Sequence, residues 1–249
     1  MALLQDKIAL VTGAATGIGE AVAELFCAEG ATVLALDRDG PGVEAVAGRI
    51  RARGQRAQAA TADVRDRAAL AQAIGAVIEE HGRLDVLINN AGIYPRKAFL
   101  EMTEAEWDEM QDINLKSLMH TCQLTLPQMI RQGSGKIVNI SSVTFFLGFE
   151  RLAHYVAAKG GVIGMTRVLA REFGPHNIHV NCITPGAIKV EAEKRFVSEE
   201  QQQAVLGYQS LKRRLMPLDL ARVCLFLSCP LSDGMTGQTL NVDGGWVMY

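Results

Sequence analysis

Charge of one sign, long apolar runs and paired cysteines are all missing from this 249-residue chain. Its 25 basic and 27 acidic side chains leave a net charge of −2. No broad basic field is therefore available for a nucleic acid or an acidic membrane surface. No run approaches the roughly 18 continuous apolar residues that a membrane span needs. The start, Met1-Ala-Leu-Leu-Gln-Asp-Lys7, lacks the basic and apolar regions of a secretory signal. Five cysteines (Cys27, Cys122, Cys182, Cys224 and Cys229) form neither an even set nor a CxxC pair. They read as buried, reduced thiols of a cytoplasmic protein. His176 and His179 are separated by the passage from a Gly-Pro turn into a strand, so they form no metal pair. No repeat, low-complexity tract or linker divides the sequence, and a single domain is expected.

What the chain does contain is 49 % apolar and 21 % charged residues, an ordinary globular balance. Short β-branched runs alternate with longer amphipathic stretches. Strands are expected at Lys7–Thr12, Thr32–Asp37, Arg56–Ala62, Leu84–Asn89, Lys136–Ser141, Ile178–Ile183 and Gln238–Val242. Helices are expected near 17–30, 41–53, 66–81, 103–131, 152–173 and 217–228. Thr103-Glu-Ala-Glu106 reads as a capping box, Gly30 and Gly174 as helix stops, and Pro127 as a kink or a last-turn marker. Strands apolar at nearly every position, separated by helices, imply an α/β fold: a doubly wound, Rossmann-type, seven-stranded parallel sheet covered by helices on both faces. Ligands of such sheets bind beyond the carboxyl ends of the strands.

After the first strand comes Thr12-Gly-Ala-Ala-Thr-Gly-Ile-Gly19. Gly13, Gly17 and Gly19 allow a tight turn and close approach to a pyrophosphate. Thr16, Ile18 and the helix start complete a cradle of free N–H groups at a positive dipole end. Asp37, at the end of the second strand, can accept from both ribose hydroxyls and repels a 2′-phosphate. NAD is accordingly expected in preference to NADP, although Arg38 offsets part of the repulsion. Asp63 and Val64 fall where adenine would lie, with a helix N-cap as the alternative role for Asp63. Asn89-Asn90-Ala91-Gly92 suits close backbone approach to a ligand at Asn90, Ala91 and Gly92, and its amides can tie neighbouring strands together.

Ser142 follows the fifth strand, and Tyr155 and Lys159 lie one turn apart on the next helix. That helix is apolar on most sides, which implies half-buried polar groups with a task. A phenol is too weak a base at neutral pH. A lysine ammonium one turn away, with a positive nicotinamide ring nearby, favours the phenolate. Tyr155 then removes a carbinol proton, and Ser142 holds the substrate oxygen. Asn114 can hold a water that passes the proton from Lys159 to bulk, or it can serve as a helix-kink or cap residue.

Together these motifs, with Pro185-Gly186 and the closing Thr236-Gly-Gln … Val242-Asp-Gly-Gly245, resemble the short-chain dehydrogenase/reductase family over residues 5–245. The resemblance implies an NAD(P)-linked oxidoreductase with Asn114, Ser142, Tyr155 and Lys159 in the roles above. It further implies Lys159 on the nicotinamide ribose, Asn90, Pro185, Gly186 and Ile188 around the cofactor, and a homotetramer. One departure stands out: Val190 occupies a position where the family usually has Thr. Residues 187–216 are expected to form a substrate lid carrying Phe196, with Tyr94, Thr144, Phe145, Phe149 and His154 bordering the same cavity and Trp246 close by. Family members with similar contexts act on sugars, sugar acids and aromatic secondary alcohols. The alternatives are an NADPH-dependent 3-oxoacyl thioester reductase, which Asp37 disfavours, and a dinucleotide-sensing binding protein without chemistry.

Overall fold

The computed structural model describes residues 2–190 and 198–248. Seven strands, β1 (Ile8–Thr12), β2 (Thr32–Asp37), β3 (Arg56–Thr61), β4 (Val86–Asn89), β5 (Gly135–Ile140), β6 (Ile178–Pro185) and β7 (Thr239–Val242), form one sheet. Their order is β3-β2-β1-β4-β5-β6-β7, and every junction is parallel. Chain order reverses between β1 and β4, where a doubly wound sheet opens a crevice. The expected strands coincide with the observed ones to within two residues at each end.

The helices are α1 (Gly17–Ala28), α2 (Gly40–Ala52), α3 (Arg67–His81), α4 (Glu104–Gln111), α5 (Ser117–Gln132), α6 (Thr144–Leu147), α7 (Ala153–Phe173), α8 (Glu199–Tyr208) and α9 (Pro217–Ser228). Successive strand residues point to opposite faces, and both faces are dry. Ala9, Val11, Val33 and Ala35 enter one apolar layer with α1, α2 and α9. Ile8, Leu10, Leu34 and Leu36 enter the other with α3, α5 and α7. Buried on two sides, the inner strands β1, β2, β4, β5 and β6 have no polar alternation to show, which is why they read as continuous apolar runs, whereas the edge strands β3 and β7 are only partly buried.

Local signals set most helix ends. Asp66 accepts from Ala68 N and Ala69 N at the start of α3, and Thr103 with Glu106 forms the expected capping box on α4. Asp63 is thus not the N-cap; Asp66, three residues on, takes that place. α1 stops at Ala28, and Gly30 follows with φ +89°. α7 likewise stops at Phe173 with Gly174 as its C-cap, but at φ −53°; a 3-10 turn follows, and the left-handed residue is Asn177. The stretch expected as one helix over 103–131 is divided by a π turn at Asp112–Lys116, while α5 continues through Pro127 to Gln132. Two further helices, α6 and α8, lie in segments where no helix was expected.

Candidate active site

The glycine-rich turn is shaped by the end of β4. Thr12 Oγ1 accepts from Asn90 N and Ala91 N at 3.0 and 3.1 Å. Asn90 Nδ2 donates to the carbonyls of Thr12 and Gly13 at 3.0 and 3.1 Å. A Cβ on Gly19 would lie 2.1 Å from the Gly13 carbonyl oxygen, and Gly13 itself sits at φ +67°, so neither position admits a side chain. Thr16 precedes α1 in an extended conformation without capping it through its side chain. The first-turn N–H groups of α1 are thereby left to an external acceptor. Val190, where the family usually has Thr, packs its Cγ1 toward Gly17.

Asp37 stands at the end of β2 with Oδ2 accepting from Ala15 N and Oδ1 from Asp39 N, both at 3.0 Å. Those bonds fix the carboxylate and leave lone pairs for a further donor. Gly13, Asp37, Arg38, Ala62, Asp63, Val64, Ala91 and Gly92 line one cavity. Asp63 is held by Arg65, whose hydrogen bonds keep its carboxyl below the usual range. A free-ended helix, a fixed acceptor and an adjoining cleft suit the pyrophosphate, ribose and base of a dinucleotide. At the far side, a Cβ on Gly186 would meet Asp243 Cα at 2.7 Å, so the Pro185-Gly186 turn is pressed against the C-terminal loop. Ile188 is buried beyond it, bridged to Leu215.

The carboxyl ends of β4 and β5 bring the remaining polar groups together. Ser142 Oγ accepts from Thr144 N at 3.2 Å and from Thr144 Oγ1 at 2.9 Å. Ser142 is also a hydrogen-bond partner of the Tyr155 phenol, and that contact acts to lower the phenol's pKa. Lys159, 4 % exposed, donates to the Ile140 carbonyl at 2.9 Å and lies 5.6 Å from the Tyr155 ring centre. Ser141 Oγ donates to the Lys159 carbonyl at 2.8 Å, pinning α7 to β5. Asn114 sits in the π turn, buried, with Nδ2 on the Met110 carbonyl at 3.2 Å and Oδ1 accepting from Ile93 N at 3.3 Å. A π turn misses one regular helix bond, and the Asn114 amide reaches the backbone of the preceding turn. A Cβ on Gly92 would lie 2.6 Å from Asn114 Oδ1, so a side chain there would displace the Asn114 amide.

Burial pushes the Tyr155 phenol above its ordinary value, and the Ser142 hydrogen bond opposes this only in part. Burial also lowers Lys159 from 10.5 to about 8. Desolvation disfavours both charged forms.

The expected substrate residues divide. Tyr94 meets Tyr155 edge-on, with ring centres 4.8 Å apart and planes at 84°. Phe149 packs on Trp246 at 5.7 Å, and Tyr208, at the end of α8, stacks on the same indole at 5.5 Å with planes 7° apart. Thr144 is buried and occupied with Ser142, so it supports the site from behind. Phe145 is 42 % exposed and leans on Gly160. His154 is buried, its Nδ1 accepting from Tyr155 N at 3.0 Å and its carbonyl accepting from Gln111. Phe196 lies outside the described residues.

The Asn89 amide ties neighbouring strands as expected, within a buried ladder whose other members, Thr121, Asn139 and Thr166, sequence reasoning passed over. Thr121 Oγ1 donates to Asn89 Oδ1 at 2.6 Å, Asn89 Nδ2 to Asn139 Oδ1 at 2.9 Å and Asn139 Nδ2 to Thr166 Oγ1 at 2.9 Å. It joins α5, β4, β5 and α7. The available signal was an asparagine inside each of two otherwise apolar strands.

Comparison with known proteins agrees with this geometry. A family model described as enoyl-(acyl carrier protein) reductase matches residues 13–247. A 3-oxoacyl-[acyl-carrier-protein] reductase of Thermotoga maritima is 37 % identical, over 98 % of this chain and 99 % of its own. A Rhizobium meliloti protein assigned as a galactose dehydrogenase is 40 % identical, over 97 % of this chain and 95 % of its own. The crystal structure of an Agrobacterium tumefaciens protein assigned as a gluconate dehydrogenase superposes with a TM-score of 0.94 at 35 % identity, over 98 % of each chain. The chain belongs to the short-chain dehydrogenase/reductase family. It is an oxidoreductase of the NAD(P)-using, Rossmann-type class.

Proposed function

We propose that this protein is an NAD-dependent dehydrogenase of a secondary alcohol, carried by a sugar, a sugar acid or an aromatic carbinol, or a reductase of the matching ketone. The convergence of Ser142, Tyr155 and Lys159 at the carboxyl end of β5, two strands from the glycine-rich turn after β1, is the observation that carries this reading. The bound dinucleotide supplies the hydride acceptor. Ser142 orients the substrate oxygen, Tyr155 exchanges the carbinol proton, and Lys159 favours the phenolate once the phenol is poised to ionise. Asn114, held between Met110 and Ile93, is the relay position toward solvent.

Asp37 supports NAD over NADP, because a 2′-phosphate there would face a fixed carboxylate. The similarity to a 3-oxoacyl-[acyl-carrier-protein] reductase keeps thioester reduction as a second reading. The galactose and gluconate assignments of the other relatives favour a sugar or a sugar acid. Val168 and Leu100, 62 % and 96 % exposed, fit a homotetramer in which further copies cover them. Burial pushes Cys27, Cys122, Cys182 and Cys224 up to about 12, as suits inert reduced thiols in a cytoplasmic setting. No helix among the described residues is long and apolar enough to cross a membrane.

A panel of sugars, sugar acids, aryl carbinols and 3-oxoacyl thioesters, assayed with NAD(H) and NADP(H), tests this. Absorbance change at 340 nm with polyol or carbinol substrates and NAD is expected. Turnover confined to 3-oxoacyl thioesters with NADPH would replace the first reading by the second.

A further inference from the structure

The loop after β4 reaches the Tyr155 ring and carries a cation that no step above uses. Tyr94 touches the Tyr155 ring edge-on. Over its ring lies the Arg96 guanidinium, 5.6 Å from the ring centre, with Nη2 donating to Tyr94 Oη at 3.3 Å. Arg96 forms no ion pair among the described residues. Other cations among the described residues are engaged: Lys97 pairs with Glu106 at 3.2 Å and Arg213 with Asp219 at 2.7 Å. Lys212 donates to the carbonyls of Leu206, Gly207 and Gln209 around the end of α8.

We infer that Arg96 is the carboxylate anchor of the substrate site, and that the substrate is a polyhydroxy acid whose reacting carbinol is several carbons from its carboxylate. This rests on the dehydrogenase reading above and narrows it to one substrate class. A guanidinium resting on an aromatic face keeps its remaining N–H groups free and partly ordered, which suits two-point binding of a carboxylate. Separation of the charge from the reacting carbon follows from chemistry as well as from position. A carboxylate directly beside the Tyr155 phenol would disfavour its ionisation, whereas one held beyond the Tyr94 ring is distant and neutralised by Arg96. A 2-hydroxy acid cannot span that ring, but an aldonate reacting near its far end can.

The test pairs five- and six-carbon aldonates with their alditols, for example D-gluconate with D-glucitol, which differ only in the charged end. Wild type should favour the acids in kcat/KM by about thirtyfold or more, the worth of a charge-assisted pair. Arg96→Leu should abolish that preference by raising KM for the acids while changing the alditols less than about twofold. Arg96→Lys should recover part of it. Calorimetric titration of D-gluconate into Tyr155→Phe with NAD present gives a readout without turnover, and adding Arg96→Leu should weaken that binding by a similar factor. Equal effects of Arg96→Leu on acids and alditols, or no preference for acids in wild type, would overturn the inference while leaving the dehydrogenase reading intact. No NAD reduction with any alcohol would remove that reading itself, and the inference with it.

Discussion

The two halves of the crevice are built differently. On the β1 side, Thr12, Asn90, Asp37 and the three glycines are fixed by backbone bonds, and nearly every group has a set geometry. On the β5–β6 side, the walls are aromatic rings and helix ends from distant segments: Tyr94 after β4, Phe149 before α7, Tyr208 on α8 and Trp246 after β7. A dinucleotide is the same molecule for every enzyme that uses it, so its cradle tolerates rigid backbone recognition. Substrates vary, and variation is accommodated by side chains hung on the ends of a constant sheet.

The most severe way to probe this division is to remove the proton acceptor alone. Tyr155→Phe should lower kcat by about a hundredfold to ten-thousandfold, while NAD affinity, followed by fluorescence titration, stays within about twofold. Loss of NAD binding would show that the two halves are not separable. On the other side, Gly19→Ala places a methyl group against the Gly13 carbonyl. Dinucleotide affinity should fall by about a hundredfold, and direct titration of the dinucleotide decides it. An unchanged Kd would mean that the turn does not hold the pyrophosphate.

Smaller effects concern charge. Lys159 has a pKa of about 8, below its ordinary 10.5, so between those values the unfolded chain binds more protons than the folded one. This group therefore makes the protein more stable as pH rises across that window, and Lys159→Met should flatten the gain in denaturant titrations. In turnover, Lys159→Ala should move the alkaline limb of the oxidation profile up by about one pH unit; an unmoved limb would assign activation of the phenol to another group. Asp37→Ala should narrow the NAD/NADP ratio of kcat/KM by about tenfold. An unchanged ratio would transfer cofactor choice to another residue, such as Arg38 in the same cavity.

The same division explains what was legible in the sequence. Strand positions and the glycine-rich turn follow from local rules, a doubly buried apolar run and a backbone that excludes Cβ, so residues 7–37 were readable almost in place. The Tyr155/Lys159 spacing was equally local. What escaped depends on tertiary context. The π turn at Asp112–Lys116 trades one helix bond for the placement of Asn114, with no composition signal to mark it. Thr144 was read as a substrate contact because only the folded α6 turn shows its hydroxyl behind Ser142. The burial that raises the Tyr155 pKa is likewise a tertiary effect, which the Tyr155/Lys159 spacing does not reveal.

The central assignment is the proton transfer at Tyr155, and a crystal structure with NAD and an unreactive substrate analogue tests it most directly. The phenol oxygen should lie about 3 Å from the oxygen standing for the carbinol, with Ser142 on the same atom. A phenol oxygen turned away from that atom, with another group in its place, would contradict the account.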